Sequence, residues 1–250
     1  RHYSRFSMGN DIADYNNDGK ADVAVVNQAS NDVSILLGNG NGTFGAQTTF
    51  AAGSGAYAIV AGKFNADNNF DLAVANSGSG NVSILIGNGN GTFAAPVNFA
   101  AGVNPISIDS ADLNGDGKAD LAIANYGGFF YGTVSILLGN GSGGFTLGTP
   151  VRTRTQPSFV AVTNFNGDGN QDLVVASFGA DSVSTFAGTG TGSFQLIQNI
   201  ATGAGPVAIE VTNLNGDAFP DLAVANYNSD SVTYCSGNSG GTFGSCQING

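Results

Sequence analysis

Acidic and amide side chains recur at fixed spacing in short loops of the chain. The loop that begins at Asp14 reads Asp-Tyr-Asn-Asn-Asp-Gly-Lys-Ala-Asp, and a nearly identical loop begins at Asp112. Oxygen-bearing side chains occupy positions 1, 3, 5 and 9 of these loops, and glycine occupies position 6. A hard cation such as Ca²⁺ takes about six to eight oxygen ligands, and glycine permits the sharp turn that gathers them. The spacing therefore predicts calcium sites, and oxygen-only ligands exclude zinc and copper as the natural metals.

Related loops begin at Lys63, Asn164 and Asn213. We predict three to four bound ions, with position 7 of each loop contributing its backbone carbonyl. The first and third loops carry three carboxylates each and are expected to bind most tightly, whereas the fourth and fifth carry two, and Ala218 replaces the turn glycine of the fifth. The predicted ligands are Asp14, Asn16, Asp18, Lys20, Asp22, Asp112, Asn114, Asp116, Lys118, Asp120, Asn164, Asn166, Asp168, Asn170, Asp172, Asn213, Asn215, Asp217, Phe219 and Asp221.

The second loop departs from the pattern at two positions. Lys63 stands where the first ligand is expected, and Asn68 replaces the glycine. The ammonium group of Lys63 is expected to pair with Asp67 or Asp71 in place of a cation, so this loop is predicted to be metal-free. Asp, Asn and Gly also favour plain turns that bind no metal, which is the alternative interpretation of each loop. Twelve of the 18 acidic residues lie in the five loops, in register, and this favours the metal sites.

The loops occupy the same place in a repeated unit. Their starts are separated by 49, 49, 52 and 49 residues, and the longer interval reflects three extra residues in 126–132. In the second unit we predict strands at 57–61, 71–75, 82–86 and 96–99, with Asn-Gly pairs suited to a tight hairpin turn before the last strand. The strand after the acidic loop is apolar at consecutive positions, as in sheets that are covered on both faces. Four-stranded antiparallel units repeated in this way predict a β-propeller.

The whole chain, 1–250, is predicted to be one all-β domain with almost no helix. Its repeat units span approximately 1–50, 51–99, 100–151, 152–200 and 201–250. Because the first and last residues fall at the same point of the repeat, a closed ring of five four-stranded antiparallel blades is the preferred architecture. The alternative is five blades of a larger, for example seven-bladed, propeller. A β-sandwich with coincidental spacing would not keep the acidic loops in register.

Composition excludes several classes of function. The chain has a net charge of −11, which argues against a nucleic-acid partner, because phosphate binding requires a basic surface. No apolar run approaches the ~20 residues of a membrane helix, so membrane insertion is not expected. A single His and a single Glu leave little from which to build a His-containing triad or a pair of glutamates. We therefore predict a non-catalytic protein, with a hydrolase that uses acid pairs or metal-activated water as the alternative.

Two cysteines lie in the last unit, eleven residues apart across its final hairpin turn: Cys235 and Cys246. A disulfide between them is favoured over two reduced thiols, and together with calcium loops it indicates an extracellular or cell-surface location. Four sequons make N-glycosylation possible at Asn41, Asn81, Asn90 and Asn140. Three of them fall at the same turn of successive units, so plain repeat sequence explains them equally well.

A candidate ligand face lies opposite the acidic loops. In an antiparallel blade the first and third turns share one face of the ring, and the remaining connections form the other. That other face is expected to carry Tyr126, Phe129, Phe130, Tyr131, Arg152 and Arg154. Aromatic residues and arginines are enriched in protein interfaces, and flat rings also suit sugars, so a protein or glycan ligand is predicted here. The alternative is a loop that folds its aromatic side chains inward.

Three acids occupy equivalent positions on the first strands of alternate units: Asp11, Asp109 and Glu210. Because first strands line the centre of a propeller, these acids are expected near the central channel. A solvated polar lining is one interpretation, and a weak site for a polar ligand is the other.

The repeated pattern resembles a known family. The acidic loop, the apolar strand, Val-Ser-Ile-Leu-Leu-Gly-Asn-Gly and Thr-Phe are similar to the FG-GAP/VCBS-type repeat, which also builds the propellers of integrin α subunits and of some fungal lectins. Phe44-Gly45 and Phe243-Gly244 match its Phe-Gly element, whereas Phe145 and Phe194 are followed by other residues. The resemblance implies a calcium-bearing, usually extracellular propeller that serves in adhesion, recognition or scaffolding. Its alternatives are a glycan-binding lectin and a self-associating subunit of a surface filament or matrix.

Overall fold

The computed structural model describes residues 9–127 and 130–250, apart from the side chain of Ser245. Five antiparallel sheets follow one another along the chain. The first consists of β1 (Asn10–Ala13), β2 (Asp22–Asn27), β3 (Asp32–Leu36) and β4 (Thr48–Ala51). The second consists of β5 (Ala56–Gly62), β6 (Asp71–Asn76), β7 (Asn81–Leu85) and β8 (Val97–Ala100).

The third sheet differs from the others because two short strands replace its fourth strand. It consists of β9 (Pro105–Ala111), β10 (Asp120–Asn125), β11 (Gly132–Gly139), β12 (Phe145–Leu147) and β13 (Val151–Thr153). Both β12 and β13 pair with β11. The enlarged connection 126–132 lies between β10 and β11.

The fourth and fifth sheets return to the simple pattern. The fourth consists of β14 (Pro157–Thr163), β15 (Asp172–Ser177), β16 (Ser182–Gly188) and β17 (Phe194–Ala201), with a short 3₁₀ turn at Phe178–Ala180. The fifth consists of β18 (Pro206–Thr212), β19 (Asp221–Asn226), β20 (Ser231–Gly237) and β21 (Phe243–Asn249). The prediction of five four-stranded blades with little helix is confirmed.

Packing between blades forms the core. The second strand of the second blade, β6, is buried along its whole length, as its unbroken apolar sequence predicts. The first strands of consecutive blades contact one another, which places them around the centre of the ring. Aromatic rings join neighbouring blades edge to face, such as Tyr15 of the first blade and Phe93 of the second, whose centroids are 5.8 Å apart. One apolar layer therefore separates each blade from the next.

The first and fifth blades do not meet in this way. Consecutive blades pack through their first and second strands, but no comparable packing joins the fifth blade to the first in the described ranges. Phe44 of the first blade remains 46% exposed, whereas its counterpart Phe93 is 7% exposed. The expectation of a closed five-bladed ring is therefore not met. The repeat spacing specifies five equal units, but it does not specify the angle between them, and that angle determines how many units close a ring.

Candidate functional site

The five acidic loops connect the first and second strands of the blades and lie beside the turns between the third and fourth strands. The two connections touch directly: Asp22 at the end of the first loop accepts a hydrogen bond from the N–H of Gly38 at the end of the third strand (2.8 Å). In the second blade, Asp71 and Gly87 repeat this contact (2.8 Å). The two kinds of turn therefore share one face of the molecule, as predicted.

The aspartate at position 9 is a clamp in every loop. Its side chain is fully buried, and its second carboxylate oxygen accepts the backbone N–H of the residue at position 2. One carboxylate thus holds both the start of the loop and the neighbouring turn. This group is called the clamp aspartates, and its members are Asp22, Asp71, Asp120, Asp172 and Asp221.

The other acids and amides of the first loop lie on its rim, where Asp14 and Asn16 are half-buried and Asp18 is exposed. Asp14 accepts the backbone N–H groups of Asp18 (3.0 Å) and Gly19 (2.9 Å), so the loop is wrapped around its carboxylate. The side chain of Asn16 also accepts from Asp18 N–H (3.1 Å). Asp18 forms an ion pair with the Nζ atom of Lys20 at 3.0 Å. These side chains are called rim residues, in contrast to the buried clamp.

The third, fourth and fifth loops repeat this arrangement with small changes. Asp112 caps the third loop, and Asp116 pairs with Lys118 Nζ at 3.1 Å. In the fourth and fifth loops an amide at position 1 takes the place of the capping carboxylate: Asn164 accepts from Gly167 N–H (2.8 Å) and Asn213 from Gly216 N–H (2.7 Å). The side chains at position 3 also accept backbone N–H bonds, and these are Asn114, Asn166 and Asn215.

The second loop keeps the clamp but lacks the rim carboxylate at position 1. The Nζ atom of Lys63 lies 5.7 Å from the centre of the Phe70 ring, in cation–π contact. Within the described residues it makes no ion pair with Asp67 or Asp71. The expected pairing of Lys63 with one of these acids is therefore wrong, because Asp71 already receives the N–H groups of Phe64 and Gly87 and Lys63 points to solvent.

Burial and hydrogen bonding shift the pKa values of four clamp aspartates and of the rim residue Asp18 in opposite directions. Loss of hydration raises the pKa of four clamp carboxyls, and these belong to Asp22, Asp71, Asp120 and Asp172. For Asp221, burial acts in the same direction, but the backbone N–H groups of Gly237, Leu214 and Asn215 lower the pKa overall. On the rim, the hydrogen bond from Lys20 lowers the pKa of Asp18.

The donor chemistry of the rim fits a hard cation. Every side-chain donor at positions 1, 3 and 5 of the first loop is a carboxylate or amide oxygen, and these residues are close in sequence, with Asp14 and Asn16 half-buried and Asp18 exposed. The described residues contain no group of three His, Cys, Asp or Glu side chains gathered closely enough to hold a metal. Each carboxylate oxygen of Asp22, Asp71 and Asp120 accepts one backbone N–H and keeps a further lone pair, whereas one oxygen of Asp172 and one of Asp221 accept two backbone N–H groups each. A cation would therefore draw the rim oxygens of Asp14, Asn16 and Asp18 together against the clamp.

The predicted ligand face separates into two places. Tyr131 stacks on the guanidinium of Arg152, whose Cζ atom lies 4.6 Å from the ring centre, and Phe130 beside it is 91% exposed. Arg154, two residues along the chain, is also exposed. This group, Phe130, Tyr131, Arg152 and Arg154, is called the aromatic–arginine patch. Phe129 lies outside the described residues.

Tyr126 belongs to a separate cavity of about 400 Å³, between the innermost strands of several blades. Its ring lies 6.2 Å from that of Phe178, and Tyr57 adds a third aromatic wall. The other lining residues are Gln28, Ser77, Asn104, Ile106, Ser158 and Val207. None of the lining residues is charged. Of these lining residues, the sequence analysis identified only Tyr126, because the others come from blades far apart in the chain. A signal was nevertheless present: Tyr126 and Phe178 each directly follow the second strand of their blade.

Two of the three acids on the innermost strands contact neighbouring blades. Asp11 is buried and accepts the N–H of Ala61 in the second blade (2.7 Å), and Asp109 accepts the N–H of Val162 in the fourth (2.8 Å). Glu210 is exposed. Two of these three acids therefore connect neighbouring blades.

The predicted disulfide is present between Cys235 and Cys246, which are directly opposed in β20 and β21. Three sequon asparagines, Asn41, Asn90 and Asn140, are exposed in turns. Asn81 instead begins β7, and its side-chain oxygen accepts a hydrogen bond from the buried Asn76 (2.8 Å). Among the described residues there is no helix with the length and apolar character of a membrane span.

Three solved structures with the same fold are 14–16% identical to this chain. One is BBS1N in complex with ARL6DN (16% identity, TM-score 0.65), with 98% of this chain and 69% of that chain covered. Another is the biofilm matrix protein Bap1 of V. cholerae (14%, TM-score 0.55), with 98% and 40% covered. A third is described as a putative 6-phosphogluconolactonase from Bacteroides uniformis (15%, TM-score 0.57), with 98% and 83% covered. Such likeness shows the fold alone.

Sequence families give a firmer assignment. No curated protein sequence matches the chain. An FG-GAP-like repeat matches residues 14–74, 63–123 and 164–224, and an FG-GAP repeat matches 104–144. These matches span the acidic loops and the clamp aspartates of all five blades. Built from these repeats over most of its length, the chain belongs to the FG-GAP repeat family.

Proposed function

We propose that this protein is an extracellular, non-catalytic recognition module that binds a protein partner through the aromatic–arginine patch. The patch carries the proposal, because exposed aromatic rings stacked on arginine are enriched at the energetic centres of protein interfaces. Phe130 is 91% exposed, and an apolar ring held so fully in water favours a partner that covers it.

The charge distribution supports the same site. The chain carries 18 acids and seven bases. Two of these bases, Lys20 and Lys118, pair with acids of their own loops, whereas Arg152 and Arg154 lie at the exposed patch. A cationic, aromatic spot on an otherwise acidic protein suits a partner segment with carboxylates and an apolar side chain. Two fold relatives, BBS1N in complex with ARL6DN and the matrix protein Bap1, are compatible with such a role.

In this proposal the acidic loops bind Ca²⁺ and stiffen the face opposite the patch. The ligands are the rim oxygens of the first, third, fourth and fifth loops together with the backbone carbonyls at position 7, and the clamp carboxylates complete the set. The positive charge of the bound ion would offset the repulsion between carboxylates that lie close together. Titration calorimetry on chelated protein should count three to four sites, and a count of zero or one would contradict the assignment.

Binding to a glycan is a second candidate function, and the cavity beside Tyr126 supports it. Its three aromatic walls and uncharged polar lining suit a neutral sugar ring, which stacks on aromatic faces and bonds to amides and hydroxyls. The cavity and the patch are separate, so variants distinguish the two functions. Tyr57→Ala should remove sugar binding and leave protein binding intact.

The test measures binding of the chain to arrays of extracellular proteins and of glycans, in calcium. Tyr131→Ala and Arg152→Ala should each weaken capture of a protein partner by roughly 30-fold, the loss typical of an interface hot spot. Tyr227→Ala is the matched control, because Tyr227 is 71% exposed and follows the second strand of another blade. Equal binding by all three variants would refute the patch.

A further inference from the structure

An asparagine ends the second strand of four blades and joins that strand to the third. In the second blade, the side-chain nitrogen of Asn76 donates to Asn81 (2.8 Å) and to Ser83 (2.9 Å), both in β7. The same pair of hydrogen bonds recurs in the first, third and fifth blades. These residues are called the lock asparagines, and they are Asn27, Asn76, Asn125 and Asn226.

A glycine in the connection that enters the blade lies directly against the lock asparagine. A Cβ atom on Gly53 would lie 2.6 Å from the side-chain amide carbon of Asn76, and one on Gly102 would lie 2.5 Å from that of Asn125. Gly203 is in the same position in the fifth blade. Non-bonded carbon atoms pack best at about 3.5–4.0 Å. The lock asparagine therefore excludes a side chain at the glycine position.

The fourth blade differs at both positions. Arg154 stands at the glycine position, and Ser177 stands at the asparagine position. Ser177 is fully buried, and so nearly is Ser182, its partner in β16. Within the described residues, neither of these two hydroxyl groups has a hydrogen-bond partner. The shorter serine leaves room for the Cβ atom of Arg154, at the cost of two buried hydroxyl groups that are left unsatisfied.

The backbone of Arg154 is fixed by the segment that carries the aromatic rings of the patch. Its carbonyl accepts the N–H of Gly132 (3.1 Å), the residue that follows Tyr131. A Cβ atom on Gly132 would lie 2.8 Å from the same carbonyl oxygen, so the two segments are in contact. The side chain of Arg154 thus starts from a fixed point beside the patch and is exposed.

Arg154 has no anionic partner in the part of the chain that the structure describes. Lys20 and Lys118 form ion pairs within their own loops. Lys63 and Arg152 each lie over an aromatic ring. Among the basic residues in the described ranges, only Arg154 makes neither kind of contact. On a protein with a net charge of −11, its guanidinium group is available to a carboxylate of another molecule.

We infer that Arg154 selects a carboxylate side chain of the protein partner, and that the exchange of the lock asparagine for Ser177 is what admits this arginine. The inference rests on the proposed function and names the chemistry that the patch recognises, an acidic residue beside an apolar one. A planar guanidinium binds a carboxylate through two parallel hydrogen bonds, and the exposed ring of Phe130 offers apolar surface next to it. A sulfated polysaccharide would instead require a longer run of basic residues.

The first part of the test measures the exchange in the absence of any partner. Arg154→Gly combined with Ser177→Asn rebuilds the pair found in other blades, so its urea midpoint should lie above that of the wild type. Ser177→Asn alone should lie below the wild type or fail to fold, because its amide meets the Cβ atom of Arg154. Equal midpoints of the two variants would overturn the inference, and so would a double variant that does not fold.

The second part measures recognition, with a displayed library of random short peptides as the probe. Peptides retained by the wild type should be enriched in Asp or Glu next to an apolar residue. Replacing that acid by its amide should weaken binding to the wild type by about tenfold, the loss expected for a charge-assisted hydrogen bond. The same replacement should have little effect on binding to Arg154→Gln, a variant that keeps the Cβ atom and Ser177 and removes only the charge.

Tyr131→Ala separates this inference from the proposed function. Peptides that are lost in Tyr131→Ala but bind Arg154→Gln with full affinity would overturn the role of Arg154 and leave the patch as a protein-binding site. A wild type that retains no peptides, or that retains the same ones as Tyr131→Ala, would overturn both. Retention on heparin that is lost in Arg154→Gln, without enrichment of acidic peptides, would identify a sulfated glycan and overturn the carboxylate.

Discussion

The acidic loops contain two populations of carboxylates that look alike in sequence and differ in environment. The clamp aspartates are fully buried and accept backbone N–H groups from two directions, whereas on the rim Asp14 is half-buried and Asp18 is exposed. The clamp is present even in the second loop, where Lys63 occupies the first ligand position. The nine-residue motif therefore combines two roles. The aspartate at position 9 fixes the hairpin, and the side chains at positions 1, 3 and 5 can bind a cation.

The comparison is sharpest in the second loop, because metal binding is not expected there. Asp71→Ala should destabilise the protein by about 3–5 kcal/mol, since it removes two charge-assisted hydrogen bonds and leaves the N–H groups of Phe64 and Gly87 buried without acceptors. Urea unfolding followed by circular dichroism measures the change. The control is Asp67→Ala on the rim of the same loop, expected within about 0.5 kcal/mol of the wild type.

Should Asp71→Ala fail to fold, Asp71→Asn remains informative. Asparagine keeps one acceptor oxygen, so it should lose part of the stability and still permit folding. Equal stability of Asp71→Ala and Asp67→Ala would remove the distinction between clamp and rim.

Calcium affinity should show the reverse pattern. Asp116→Ala removes a rim carboxylate from a loop with three acids and should weaken one site by roughly tenfold or more, because affinity depends on the number of charged ligands. Calorimetry on chelated protein gives the affinity of each class of site. Asp67→Ala occupies the same position of the second loop and should change no site; a loss equal to that of Asp116→Ala would show that the second loop also binds calcium.

Much of the fold could be predicted from the sequence because one repeat occurs five times in the chain. The run from Asp71 to Asn76 predicts a doubly covered strand, and the Asn-Gly turns predict the hairpins; both are found. The clamp role was missed because spacing alone makes position 9 one more ligand. A hint was present, since Asp71 directly precedes an apolar strand and is therefore carried into the core.

The features that escaped prediction depend on how blades are oriented in space. The cavity beside Tyr126 needs Tyr57 and Phe178, which come from other blades, and only the curvature of the ring brings them together. The lack of interblade packing between the first and fifth blades, within the described ranges, depends on the same curvature. By contrast, the contact of Tyr131 with Arg152 could be predicted from the sequence, because Tyr131 directly precedes the third strand of its blade and Arg152 lies in a strand that pairs with it.

The pH dependence of stability offers the smallest and most specific test of clamp against rim, measured in chelator. Burial raises the folded-state pKa of Asp71 above its ordinary value near 3.9, so the folded protein takes up this proton before the unfolded chain does. Stability from this group is complete below about pH 3.9 and is lost as pH rises through the folded pKa. The stability of the wild type relative to Asp71→Asn should therefore increase on acidification through that window.

Asp18 on the rim should give the opposite sign. The hydrogen bond from Lys20 lowers its folded-state pKa, so its contribution is present above about pH 3.9 and is lost as pH falls through the folded value. The wild type should thus lose stability relative to Asp18→Asn on acidification, and only below the window of Asp71. Urea midpoints of the three proteins, compared at each pH, isolate these two groups from all other titrations. If the stability differences between the wild type and each of the two variants changed in the same direction with pH, the two carboxylates would share one environment. The division of the motif into clamp and rim would then fail.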